Sequence, residues 1–249
     1  MPPIVTLLTD FGTRDSYVGE VKAVLASQAH PALIIDVTHD IPPGDVRAAQ
    51  YVLSRVWRRF PQGTVHLVVV DPGVGTERRA LAAGAAGHFF LAPDNGLLSS
   101  LPAEARFVEL PVPPTACPTF HARDLFAPAA ADLANGTALT HLGHPIADPI
   151  RSPLPQARKE GEAWIGEVVY VDRFGTLITN LPGDRAGAAS RVNVGGTDAG
   201  PLRRTFGDVA SGQIVAFVGS GGTVEIAARD GNAEQLLRVG VGTAARMTG

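Results

Sequence analysis

A single cysteine, Cys117, stands in 249 residues, so no disulfide can form within the chain. That sets aside the disulfide-stapled secreted scaffolds and makes a reducing compartment the simple reading. Charge is sparse and nearly balanced: Asp, Glu, Lys and Arg make up 18% and the formal net charge is −3. A nucleic-acid binder would carry a basic patch or stripe, which this balance argues against. Long apolar runs are missing as well. No window approaches the ~18 apolar residues of a membrane span. The opening MPPIVTLLTDFG has neither the basic start nor the sustained apolar stretch of a secretory leader. The expectation is a cytoplasmic chain with neither a nucleic-acid nor a membrane partner.

Familiar catalytic signatures are also lacking. The seven histidines are scattered, with neither HxxxH nor HExxH, so no metal site is expected. His141 and His144 are three apart but lack a carboxylate in the expected pattern. The nucleophile elbow GxSxG and the phosphate loop GxxxxGK(S/T) are absent. Cys117, between Ala116 and Pro118, reads as structural.

What is present is apolar material and turns. Hydrophobic residues make up 45%, enough to bury a core in one large domain or two small ones. The 28 glycines and 20 prolines fall mostly between apolar runs. In the first 145 or so residues, strand-like and helix-like segments alternate. IVTLL (4–8), LIIDV (33–37), TVHLVVVD (64–71), HFFLAP (88–93) and FVEL (107–110) read as strands. Residues 16–28 carry Val18, Val21, Val24 and Leu25 at helical spacing, with Asp15 as candidate cap. Residues 45–60 form an amphipathic helix that starts at Asp45 and ends in basic residues, and a further helix covers 123–135. This alternation predicts an α/β domain with a mainly parallel sheet over residues 1–150. A polar, proline-bearing stretch, 151–162, reads as a linker. From 163 to 249, short strands with glycine turns and no convincing helix predict an all-β, barrel-like domain.

In an open parallel sheet, ligands bind beyond the carboxyl ends of the strands. Asp10, Asp36, Asp40, Asp71, Asp94 and Asn95 all fall near such ends. Many carboxylates in that position are only helix caps. Asp71 stands out through the segment it opens, DPGVGTERR, where Pro72 and two glycines make a tight loop that lets Arg78 return toward Asp71. The bland alternative is a surface turn with a solvated arginine. His121, in PTFHARD, precedes a helix and by itself reads as structural more readily than catalytic. The residues alone support a hydrolase-like carboxylate, arginine and histidine, and no more.

Longer segments narrow this. LLTDFGTRDSYVGEVKAVL (7–25), DVTHDIPPGDVRAAQYVL (36–53), VVVDPGVGTERR (68–79), LAPDNGLLS (91–99), TFHARDLFAPAAADLANG (119–136) and VDRFGTLITNLP (171–182) span most of the chain. In that order they resemble the S-adenosylmethionine hydroxide adenosyltransferase family, hydrolytic relatives of fluorinase and chlorinase. The resemblance implies hydrolysis of S-adenosylmethionine to adenosine and methionine, with no cofactor. It also implies a homotrimer with sites between the N-terminal domain of one subunit and the C-terminal domain of the next. It places the catalytic roles on Asp71, Arg78 and His121, and the ribose contact on Asp10. It points to Asn95, Asp172, Phe174, Thr176, Ser220 and Glu225 as substrate contacts, with Phe174 against adenine and Asp172, Ser220 and Glu225 near methionine. The sequence departs from the family pattern at Thr176, where many members have asparagine, and at Gly221, where fluorinase has arginine.

The chemistry implied is an in-line attack of water on C5′. Sulfonium makes methionine a neutral leaving group, so no acid is required to protonate it. Asp71 would orient the water, Arg78 would keep Asp71 ionised, and His121 would complete the hydrogen bonding or relay a proton. The rival readings are a halogenase, a non-catalytic adenosine or S-adenosylmethionine sensor, and an α/β interaction protein with solvated charged turns.

Overall fold

In the computed structural model, which describes residues 2–29, 31–187 and 189–249, the chain separates into two units, Met1–Pro153 and Leu154–Gly249. The first contains β1 (Ile4–Thr9), α1 (Tyr17–Gln28), β2 (Leu33–Thr38), α2 (Val46–Val56), β3 (Val65–Val69), β4 (Ala80–Ala85), β5 (His88–Pro93), β6 (Arg106–Glu109), α3 (Ala127–Ala134) and β7 (His144–Ile146). Their order in the sheet is β2-β1-β3-β5-β4-β6-β7. The strands from β2 to β5 pair in parallel, whereas β4, β6 and β7 extend the sheet antiparallel. The sheet is therefore mixed, and the expected parallel character holds for its first four strands alone.

The difference comes from β4. Its sequence, ALAAGA, has little intrinsic strand preference and gives no strand signal. It pairs on both sides, and a Cβ on Gly84 would lie 3.2 Å from the Leu139 side chain, so small residues suit the position. Ala86 and Gly87, both with positive φ, close the β4–β5 hairpin as a tight two-residue turn requires.

The helices follow their sequence patterns with local adjustments. Asp45 caps α2 by accepting a hydrogen bond from the Ala48 amide at 2.9 Å. The helical run then ends in a 3₁₀ turn over Trp57–Arg59. Ser16, not Asp15, occupies the N-cap position of α1, and its hydroxyl donates to Glu20. The segment read as one helix over 123–135 opens with a π-turn, Ala122–Phe126, before α3, and stops at Asn135 ahead of the left-handed Gly136. Val21 and Leu25 of α1 and Ala127 and Ala130 of α3 bury against Val5, Leu7, Val65 and Leu67 of the sheet. Each large aliphatic side chain removed from water there contributes roughly 1.5–3 kcal/mol.

The second unit contains β8 (Arg158–Glu160), β9 (Ala163–Val171), β10 (Leu177–Pro182), β11 (Arg191–Val194), β12 (Thr197–Arg203), β13 (Ile214–Val218), β14 (Thr223–Ala228), α4 (Ala233–Leu237) and β15 (Ala244–Thr248). The ring β9-β10-β14-β13-β12-β11-β15 closes on itself, so the unit is a barrel-like sheet of seven strands with β8 added beside β9. Its pairings are antiparallel except between β12 and β13. Val168, Leu177, Val192, Val224, Ile226 and Met247 fill its interior. The helix α4 is a single short turn, capped by Asn232 accepting from the Gln235 amide, and is too short for its periodicity to show in sequence. Among the described residues, no helix is long and apolar enough to cross a membrane.

Candidate active site

The order of the first sheet decides where a ligand can sit. From β1 the chain moves through α1 to β2 on one side, then crosses back to β3 on the other. The carboxyl ends of β1 and β3 therefore flank a topological switch point, where a crevice opens in folds of this kind. Asp10 follows β1 and Asp71 follows β3, with Thr9 and Val69 in register beside each other. A cleft of about 660 Å³ lies here, lined by Asp10, Phe11, Tyr17, Asp71, Phe120 and His121, among others.

Arg78 joins two of these residues. Its Nε donates to Asp71 Oδ1 at 2.9 Å and its Nη2 donates to Asp71 Oδ2, a two-pronged pairing of the fork with the carboxylate. The same Nη2 lies 3.0 Å from Nδ1 of His121. Asp71 and Arg78 side chains are only 6% and 10% exposed. Arg78 Nη1 is also buried and has no protein partner among the described residues. Burial, and then the charge of Arg78, hold the His121 imidazole below its usual pKa.

Two glycines let the chain make this arrangement. Gly75 has φ +78°, and a Cβ there would lie 2.7 Å from the Pro118 carbonyl oxygen. The loop carrying Arg78 thus rests directly on the backbone that leads to His121. At Gly73 a Cβ would meet the Arg78 stem at 3.3 Å, so the missing side chain leaves room for the arginine to fold back. Asp10 is oriented by the Gly44 amide, which donates to its Oδ2 at 2.8 Å.

The cleft also contains residues that the sequence reading missed. Phe11, Tyr17 and Phe120 meet edge to face, with ring centroids 5.4–6.2 Å apart. Arg123, on the same lining as Glu20, bridges Glu20 and Asp124. All lie within the segments 7–25 and 119–136, which was the available signal.

The remaining candidates fall elsewhere. Asn95 does not line this cleft: its amide donates to the Val70 carbonyl and its oxygen accepts from the Leu97 amide. In the second unit, Asp172 Oδ1 accepts from the amides of Phe174 and Thr176, both at 2.9 Å, which shapes the turn from β9 into β10. Gly175, at φ +79°, sits against Asn232, where any Cβ would collide. Phe174 is 75% exposed at the tip, whereas Thr176 is buried. Ser220 belongs to a different turn, between β13 and β14, in which Gly222 accepts from the Gly183 amide beyond the far end of β10. The register of β10 and β14 sets these two turns beyond opposite ends of their ladder. Glu225 stands on β14 across from Ile178, and its carboxylate fills the space that a Cβ on Gly219 would take. Among the described residues, no cluster of three or more His, Cys, Asp or Glu is arranged to hold a metal ion.

Residues 5–143 match the SAM hydroxide adenosyltransferase N-terminal domain, and residues 166–246 match the C-terminal domain of the same family. A protein of Thermus thermophilus named (R)-S-adenosyl-L-methionine hydrolase is 43% identical, with 98% of each chain covered. A fluorinase of an Actinoplanes species is more distant, 29% identical over 72% of each chain. The crystal structure of an uncharacterized conserved protein from Thermotoga maritima superposes with a TM-score of 0.90 at 35% identity, covering 98% of this chain and all of that one. With both halves matched in order and a full-length relative at this identity, the chain belongs to the SAM hydroxide adenosyltransferase family.

Proposed function

We propose that this protein hydrolyses S-adenosyl-L-methionine to adenosine and L-methionine. The observation that carries the reading is the single guanidinium of Arg78, hydrogen-bonded to both Asp71 and His121 in the cleft at the switch point. The full-length relative named above supports the substrate, and its name specifies the (R) epimer at sulfur, which we extend to this chain.

In this scheme, water attacks C5′ of the ribose opposite sulfur. The C5′–S bond breaks with its electron pair going to sulfur, so methionine leaves as a neutral thioether, and the proton passes from the water to solvent. Asp71 accepts a hydrogen bond from the water, takes its proton as the new C–O bond forms and releases that proton to solvent. Arg78 pairs with both oxygens of Asp71 and so fixes the carboxylate for that contact. Arg78 can only donate, so Nδ1 of His121 accepts, and the ring proton resides on Nε2. His121 then donates to the nucleophile rather than taking its proton. The two carboxylate oxygens of Asp10 suit the vicinal ribose hydroxyls. The scheme uses no cofactor.

The Asp71 carboxylate beside the nucleophile accepts a hydrogen bond that water can donate and a halide cannot, which argues against halogenation. We also propose a cytoplasmic homotrimer in which the C-terminal domain of a neighbouring subunit completes each site. The exposure of Phe174 supports this, since an aromatic ring held out into solvent is poised to meet a nucleobase. Asp172, Thr176, Ser220 and Glu225 would serve the rest of the substrate.

Incubation with S-adenosylmethionine in ¹⁸O-water, with and without chloride, tests the reading. We expect label on the adenosine 5′-hydroxyl and no chlorinated nucleoside. Tight binding of adenosine without turnover would instead make the protein a sensor, and full activity in Asp71→Asn would remove that residue from the mechanism.

A further inference from the structure

The loop from Asp71 to Arg78 has two shoulders, Val70 and Arg79, and consecutive residues at the end of β5 hold both. The Asn95 amide donates to the Val70 carbonyl at 2.9 Å, immediately before Asp71. Its orientation is set by the Leu97 amide, which donates to Asn95 Oδ1 at 3.2 Å. The Asp94 carboxylate, 2% exposed, accepts from Arg79 Nε at 2.8 Å, immediately after Arg78. The Asp94 amide also donates to the Arg79 carbonyl at 2.9 Å. Between the shoulders, the loop's internal backbone hydrogen bonds are short-range turns, Val74 to Asp71 and Thr76 to Gly73. The segment leaving this unit closes the arrangement from outside. The Ile150 amide donates to Asp94 Oδ1, and Arg79 Nη1 donates to Asp148.

We infer that Asp94 and Asn95 form a clamp that sets the spacing of Asp71 and Arg78, so that both act as positioning residues for the reaction and neither touches substrate. The physical reason is leverage. The loop is glycine-rich and turns sharply, so its two ends determine where the carboxylate and guanidinium meet. A displacement of about 1 Å at reacting groups can lower turnover by about 100-fold. The burial of Asp94 makes its pairing with Arg79 rigid rather than solvated, and Asn95 spends both ends of its side chain on backbone.

The inference rests on the hydrolase reading, and wild-type turnover measured in parallel separates the two: no adenosine from wild type would end that reading, not this one. With wild type active, Asn95→Asp keeps the shape but replaces the donor to Val70 with an acceptor. We expect kcat to fall about tenfold or more with KM within twofold of wild type, at a temperature well below the variant's Tm. In an Arg78→Ala background, where the spacing no longer matters, the same change should cost less than twofold in kcat. Arg79→Lys, which keeps charge but loses the fork, should show the same split and serves if Asn95→Asp does not fold. A raised KM with unchanged kcat would assign Asn95 to substrate and overturn the inference. So would unchanged kinetics, or an undiminished loss of kcat in the Arg78→Ala background.

Discussion

Arg78 Nη2 lies 3.0 Å from Nδ1 of His121, and because a guanidinium has only hydrogens to offer, that nitrogen must carry its lone pair. The contact thus selects one tautomer of a neutral imidazole. A protonated ring would set two cations against each other and lose the hydrogen bond.

The expected consequence is an acid limb in the pH–rate profile. Burial and the Arg78 charge lower the pKa of His121, so the neutral form persists below the usual histidine range. Activity should be retained as pH falls to about 6.5 and be lost below it, with the midpoint under that value. His121→Asn should be less active and lack this limb. A limb centred above the ordinary histidine value would contradict the tautomer argument.

Gly75→Ala should damage catalysis from outside the substrate's reach. The backbone there has φ +78°, and the new methyl group would press on the Pro118 carbonyl. The left-handed conformation alone costs roughly 1–2 kcal/mol for a residue with a side chain. The loop must also lift from the segment that carries His121. We expect lower Tm and a fall in kcat of about tenfold or more, given the sensitivity of reacting groups to misplacement. Wild-type kcat in a folded variant would show that the two loops are not held together here.

Phe174→Ala separates binding from stability. The side chain is largely exposed on its own unit, so its removal should change folding free energy by no more than about 0.5 kcal/mol. If the ring meets adenine, losing that stack should weaken binding by about 1–3 kcal/mol, roughly a 5- to 150-fold rise in KM. Calorimetry of adenosine binding checks this directly. Unchanged affinity would remove Phe174 from the site.

His66 and His88 give the first unit a weakness to acid. Both are buried, with Thr6 Oγ1 2.8 Å from His66 Nδ1 and His66 Nε2 3.2 Å from His88 Nδ1. Burial, and next the charge of His88, push His66 down to about 3, and burial with Arg58 nearby lowers His88. The unfolded chain therefore binds more protons between about pH 6.5 and pH 3, and stability falls as pH drops through that window. From His66 alone the loss at pH 4.5 is about 3 kcal/mol, at about 1.4 kcal/mol per unit. Urea midpoints at pH 7 and 4.5 should diverge more for wild type than for His66→Gln. Equal divergence would show that the pair plays no part.

Much of this protein was legible from local pattern. β-branched runs announced β1, β2 and β3, the aromatic run HFFLAP announced β5, Asp45 announced the start of α2, and glycine turns announced the strands of the second half. These depend on neighbours in the chain, where propensity and side-chain periodicity act. The motifs carrying Asp71, Arg78 and His121 were visible for the same reason. Tertiary structure decided the rest. The alanines and Gly84 of β4 became a strand because β5 and β6 paired with them, and this made the sheet mixed. Asn95, read as a substrate contact, turned inward to hold Val70. Arg78 and His121 are 43 residues apart in the chain and hydrogen-bond only because the Gly75 loop lies flat on Pro118. Such contacts come from the packing of distant segments, which no local preference encodes.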